Sequence, residues 1–83
     1  MGNLEEMLKV KDEVWFELLK KDFRMFIDFS SKNNLSWKWG GEVKIDDFKN
    51  HIDFAHISID KNGKCCFIPM FMWVKEEYKK FKV

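Results

Sequence analysis

The stretch that decides the fold is Ala55-His56-Ile57-Ser58-Ile59-Asp60-Lys61-Asn62-Gly63-Lys64-Cys65-Cys66-Phe67-Ile68. Ile57 and Ile59 alternate with His56 and Ser58, which is the period of a strand. A second β-prone run, Cys65 to Ile68, follows the dipeptide Asn62-Gly63. Asn-Gly between two such runs marks a hairpin. A type I turn closed by a bulge at Gly63 sets Ile57 opposite Phe67 and Ile59 opposite Cys65. A two-residue type I′ turn sets them opposite Ile68 and Cys66 instead. Asp60 suits the first position of the bulged form, which is preferred on that ground.

Upstream of the hairpin, Val14 to Lys32 contains no Gly or Pro. Phe16, Leu19, Phe23, Phe26 and Ser30 form one stripe at helical spacing, and Trp15, Leu18, Met25 and Phe29 form a second beside it. Glu17, Lys20, Lys21, Arg24, Asp28 and Ser31 fall opposite. Asp12 is a suitable N-cap, and Glu13 suits the positive end of a helix dipole. The pattern predicts one long amphipathic helix with an apolar arc wide enough for two contacts. The segment Asn3 to Val10 either folds back on the second stripe, through Leu4, Met7 and Leu8, or extends the helix.

Asn33-Asn34 is expected to end that helix, because Asn tolerates the left-handed conformation of a C-cap. Leu35, Trp37 and Trp39 then alternate with Ser36 and Lys38, so a short strand should lay its large side chains on the helix. Gly40-Gly41 follows as a sharp turn. Trp37 and Trp39 are expected to serve as a packing corner, or to leave one indole exposed as a binding anchor. After the hairpin, Pro69 ends the ladder or marks an edge. Phe71, Val74, Tyr78 and Phe81 recur at a spacing that supports a short C-terminal helix, with a strand through Met70 to Val74 as the competitor. The whole predicts a single α+β domain over residues 1–83: one long amphipathic helix on a small antiparallel sheet, with a β-hairpin and a short C-terminal helical element.

Composition narrows the function. Hydrophobic residues are 46% and aromatics 17%, with nine Phe and four Trp. Each aromatic can bury about 150–250 Å², and a chain of 83 residues is short of interior for that many. The surplus predicts an apolar surface or a subunit interface, hence a homo-oligomer. The net charge of +1 and pI near 7.7 make nucleic acid an unfavoured partner. The aromatic, lysine-rich tail keeps a stacking nucleic-acid interface as an alternative. No apolar run reaches the ~20 residues of a membrane span. No signal peptide is visible, and the adjacent pair Cys65-Cys66 is ill placed for a mutual disulfide, which together fit the cytoplasm.

Candidate chemistry is sparse. His51 and His56 could join Asp47 and Asp53 around a metal, but their spacing is unspecific and both are expected to be surface histidines. Cys65 and Cys66 on a hairpin strand should pack as small hydrophobes rather than act as nucleophiles. No hydrolase order, phosphate loop or paired-acid motif can be read, so the expectation is a non-enzyme without cofactor or metal. The candidate binding residues are Trp37, Trp39 and Trp73, together with the acidic stretch Glu42, Asp46, Asp47 and Asp53, which suits a basic protein surface.

The pattern Phe23-x-x-Phe26-Ile27-x-Phe29, then Asn33-Asn34-Leu35-x-Trp37-x-x-Gly40, then Ile57-x-Ile59 and Gly63-Lys64, resembles small α+β proteins encoded by phages and prophages of low-GC Gram-positive bacteria. Asn34 stands where that group tends to have Gly, and Trp39 departs from its pattern. The resemblance implies a genomic setting and carries over no functional residue. Taken with the small size, the lack of a catalytic motif, the surplus of aromatics and the segregated charge, that setting makes a phage or prophage accessory protein acting by stoichiometric binding the leading expectation, with a host defence protein as partner and an anti-CRISPR-like inhibitor as its most plausible form. An oligomeric sponge for a nucleotide signal and a small nucleic-acid-binding regulator are the alternatives.

Overall fold

The computed structural model describes residues 2–9, 12–75 and 80–81. The hairpin forms first in the logic of the fold. Strand β3, Phe54–Ile59, pairs antiparallel with β4, Lys64–Phe67, and Ile57 lies opposite Phe67 and Ile59 opposite Cys65. This is the bulged register. Gly63 takes the left-handed φ of +76° that the bulge requires. Asp60 locks the turn from below, its Oδ1 accepting the backbone N–H groups of Asn62 at 2.9 Å and Lys64 at 3.0 Å.

The segment from Val14 does not begin as a helix. Val14–Leu19 is strand β1, antiparallel to β3 along its whole length, from Val14 opposite Ile59 to Leu19 opposite Phe54. A 3-10 turn at Lys20–Asp22 leads into helix α2, Phe23–Lys32. The expected long helix is therefore half strand. Val14, Trp15, Phe16 and Leu18 are all buried, so β1 lacks the polar alternation that would betray a one-faced strand. Its apolar spacing also runs on smoothly into the helical stripe Phe23 and Phe26.

The helix ends where the two asparagines predict. Asn34 has φ +57°, and Leu35 N–H reaches back to the Ser30 carbonyl at 2.9 Å. Strand β2, Ser36–Trp37, is the brief expected strand, and it lies parallel to β4. Lys80–Phe81 forms β5, parallel to β1. The sheet order is β2-β4-β3-β1-β5. It is antiparallel at its centre and parallel at both edges, rather than antiparallel throughout.

Helix α1, Gly2–Met7, folds back toward α2: Leu4 is buried in the core. Glu5, Leu8 and Lys9 stand along a groove whose other wall is Met25, Phe29 and Lys32. The second stripe of α2 thus gains a cover from within the chain. Phe16, Leu18, Phe26, Trp37, Ile57 and Cys65 form the core on this face, with Phe16 and Phe26 rings 5.4 Å apart. The opposite face buries Trp15, His56 and Ser58. Beyond Pro69, helix α3, Met70–Trp73, crosses that face and lays Trp73 on His56. The expected C-terminal helix is thus present at Met70–Trp73, but it does not run to Phe81, which belongs to β5; Tyr78 lies outside the described residues.

Candidate functional site

Gly40 and Gly41 both have φ of +97°, a conformation that side chains resist. They fold the chain back on itself: Gly40 N–H bonds the Trp37 carbonyl at 3.0 Å and Trp37 N–H bonds the Gly41 carbonyl at 3.1 Å. This turn stacks Trp39 on Trp37, with ring centres 4.8 Å apart and planes 9° from parallel. Trp37 is buried at 1% exposure, whereas Trp39 is 61% exposed. The corner is therefore both a core element and a surface platform.

Trp37 is held in turn. Its Nε1–H donates to Asp47 Oδ2 at 2.7 Å, and the same oxygen accepts the Lys44 backbone N–H at 2.9 Å. Asp47 sits in a 3-10 turn, Ile45–Phe48, that places Phe48 in the core against Phe23 at 4.6 Å. Phe67 lies 4.7 Å from Trp37 and 6.2 Å from Trp39, and His51 stacks on Phe67 at 4.5 Å. The result is a row of rings running from the interior to an exposed indole. Burial holds the His51 imidazole below its ordinary pKa of 6.5.

The row reaches the surface at the end of the sheet where β1 stops and β3 starts, and Leu19 and Ile52 are exposed near that end of the strands. Leu19 ends β1 opposite Phe54, and Ile52, 76% exposed, lies two residues before Phe54. Helix α3 starts three residues after Phe67, within about 10 Å of chain. It leaves Met70, Phe71 and Met72 exposed, as is Val74 just after it. The opposite end of the sheet, around the hairpin turn, is lined mainly by polar residues, among them Asp12, Asn33, Asp60, Lys61 and Asn62, with Leu8, Leu35 and Ile59 beside them. The two ends of the sheet differ in chemistry.

The structure separates the residues singled out in the sequence. Trp37, Trp39 and Asp47 come together. Trp73 is half-buried on the other face, flat against His56 at 4.0 Å and 5°. Glu42 and Asp46 are exposed on the α2 side, and Asp53 is exposed beside the start of β3. The four acids do not share one surface: Asp47 turns inward to Trp37, and the exposed Lys44 and Lys49 flank Asp46 in the chain.

His56 is not a surface histidine. It is 6% exposed, and its Nε2 lies 3.0 Å from Glu17 Oε1, a residue directly opposite it on β1. No group of three potential metal ligands stands together among the described residues. Cys65 is buried and unbridged, and burial, reinforced by Asp60 and Cys66, pushes its thiol up to about 12, so it is not a thiolate at neutral pH. The exposed ridge of α3 was the feature that sequence reasoning passed over. Its signal was the unbroken apolar run from Cys65 to Val74, which a four-residue helix cannot turn wholly inward.

No known family matches this chain, and no curated protein or solved structure is significantly similar to it.

Proposed function

We propose that this protein works by stoichiometric binding to another protein, through the apolar end of the sheet, with Trp39 as its anchor. The observation that carries this reading is the Trp39 indole, 61% exposed yet stacked on a buried, hydrogen-bonded Trp37. Trp is enriched among the few residues that dominate binding energy. An anchor already fixed in place loses little conformational freedom on binding. The exposed Ile52, Met70 and Phe71 enlarge the apolar area, and exposed patches of this kind mark interaction sites. The exposed charges of both signs, Lys20, Lys49 and Asp53, suit the polar rim of such an interface.

The resemblance to phage-encoded proteins extends the reading to a phage or prophage accessory protein that blocks a bacterial antiviral defence system, a CRISPR effector being one target. The test is phage plaquing on a host with active CRISPR interference. The wild-type chain should restore plaquing, and Trp39→Ala should abolish the effect while keeping the wild-type unfolding midpoint. Unchanged plaquing with the wild-type chain overturns the inhibitor reading; full activity of Trp39→Ala overturns the anchor.

The ridge of α3 favours a second reading, in which the partner is another copy of the chain. Met70, Phe71, Met72 and Val74 are apolar and exposed, and a two-fold axis through such a patch would bury it against its own copy. Solution mass by light scattering separates the two: a monomer leaves the surface for a foreign protein, and a dimer abolished by Phe71→Lys assigns it to self-association.

A further inference from the structure

Met70 and Met72 flank Phe71 on the exposed ridge of α3, and they are 52% and 40% exposed. Met25, the other methionine whose side chain is described, packs against the core from α2. Trp73 takes the inward position of α3, flat on His56 at 4.0 Å, which leaves the two methionines on the outside of this one-turn helix. Leucine would give the ridge the same apolar surface at similar volume. A thioether adds what leucine lacks, a polarisable sulfur open to oxidation.

The thiols of the chain are worse placed for that chemistry. A thiol reacts as its thiolate. Cys65 is buried, and its thiol keeps its proton at neutral pH. Cys66 is half-buried, and its Sγ–H donates to the Phe67 carbonyl at 3.4 Å. A thioether has no proton to lose, so access governs its reaction. Among the described residues, the two most exposed sulfur-bearing side chains are therefore Met70 and Met72, on the ridge itself.

We infer that Met70 and Met72 are a peroxide-sensitive modification site, and that their oxidation to sulfoxides switches off docking through the α3 ridge. The inference rests on the reading of that ridge as part of a protein-binding surface. In the reaction a sulfur lone pair attacks one oxygen of hydrogen peroxide. The S–O bond forms as the O–O bond breaks, and the departing oxygen takes up the proton of the transferred one and leaves as water. The sulfur gives up an electron pair and the peroxide is reduced. The product is polar and chiral, and its oxygen needs a hydrogen-bond donor that an apolar interface does not supply. Sulfoxides on both sides of Phe71 break up the apolar run that the ridge presents. Methionine sulfoxide reductase reverses the change, so the switch is resettable. A docked partner covers both sulfurs, which confines the reaction to the free protein.

The test starts from the purified chain carrying a benzophenone side chain at position 39, treated with dilute hydrogen peroxide and then with catalase. Peptide mass mapping should find oxygen gained at Met70 and Met72 before Met25. Mixed with bacterial lysate and irradiated, the oxidised protein should give at least about tenfold less adduct than the untreated one. Methionine sulfoxide reductase should restore the yield. The double variant Met70→Leu, Met72→Leu should dock as wild type and keep its adduct after peroxide. An adduct undiminished by oxidation overturns this inference alone, as does an equal loss in the double variant, which would assign the effect to another residue. No adduct before peroxide overturns the docking reading and this inference with it.

Discussion

Trp37 donates its indole N–H to the Asp47 carboxylate at 2.7 Å, and the exposed Trp39 platform stands on that bonded indole. The relationship ties the end of β2 to a turn before β3, ten residues apart in sequence. It also explains why an acidic residue from a charged stretch is turned inward.

Asp47→Ala should therefore destabilise the fold. It leaves the Trp37 N–H buried without an acceptor, a loss of about 1–3 kcal/mol. In a domain of this size each kcal/mol lowers the melting temperature by roughly 4–8 °C. Asp47→Asn keeps an acceptor oxygen and should cost less. Chemical denaturation of the two variants checks the order.

Trp37 and Trp39 should respond to truncation in opposite ways. Trp37→Ala removes a core indole at 1% exposure and should cost about 3–5 kcal/mol of stability. Trp39→Ala, at 61% exposure, should leave stability within about 1 kcal/mol of wild type. If Trp39 anchors a partner, its truncation should instead cost about 2 kcal/mol or more of binding. Thermal melts and binding isotherms on the same two proteins make the comparison.

His51 gives the fold a pH dependence of defined sign. Its folded pKa lies below the ordinary 6.5, with burial as the cause. The unfolded chain therefore binds the proton more readily than the folded one. Stability should fall as pH drops below about 6.5, and the loss should level off below the depressed folded value. His51→Phe should flatten that part of the profile. Urea midpoints measured between neutral and acidic pH supply the test.

Cys65 sets the alkaline limb. Its folded pKa is raised to about 12 from 9.0, first by burial and then by Asp60 and Cys66. The unfolded chain loses that proton first, so stability should be full below about 9 and decline between about 9 and 12. Cys65→Ala should reduce the decline. At neutral pH iodoacetamide should modify the half-buried Cys66 before Cys65, and peptide mass mapping would order the two.

Trp73 pins α3 to the sheet through its stack on His56. Trp73→Ala should release Met70–Trp73 and raise proteolytic cleavage there while β3 and β4 stay protected. Limited proteolysis with fragment masses would show whether cleavage is confined to that segment.

The hairpin was legible because its turn chemistry is local: Asp60, Asn62 and Gly63 fix the register within five residues. The end of α2 was legible for the same reason at Asn34. Strand β1 was not, because β1 and α2 abut in one apolar pattern, and cover on both faces of the sheet erases the alternation that marks a strand. His56 was misplaced for a related reason. A polar residue at an alternate strand position signals solvent only when that face is open, and here α3 closes it. Of the candidate site, the Trp37-Trp39 corner could be read from Gly40-Gly41. The inward turn of Asp47 could not, since it depends on a contact between separate loops.

The central claim is that Trp39, together with the exposed ridge of α3, docks another protein, and site-specific photo-crosslinking tests it most directly. A benzophenone side chain would replace Trp39, Phe71 or, as a control at the polar end, Lys61, in a chain expressed in a bacterial host. The account predicts one shared foreign-protein adduct of fixed stoichiometry from positions 39 and 71, and none from position 61. No adduct at either position, the same adducts from all three, or only a dimer of the chain itself would contradict it.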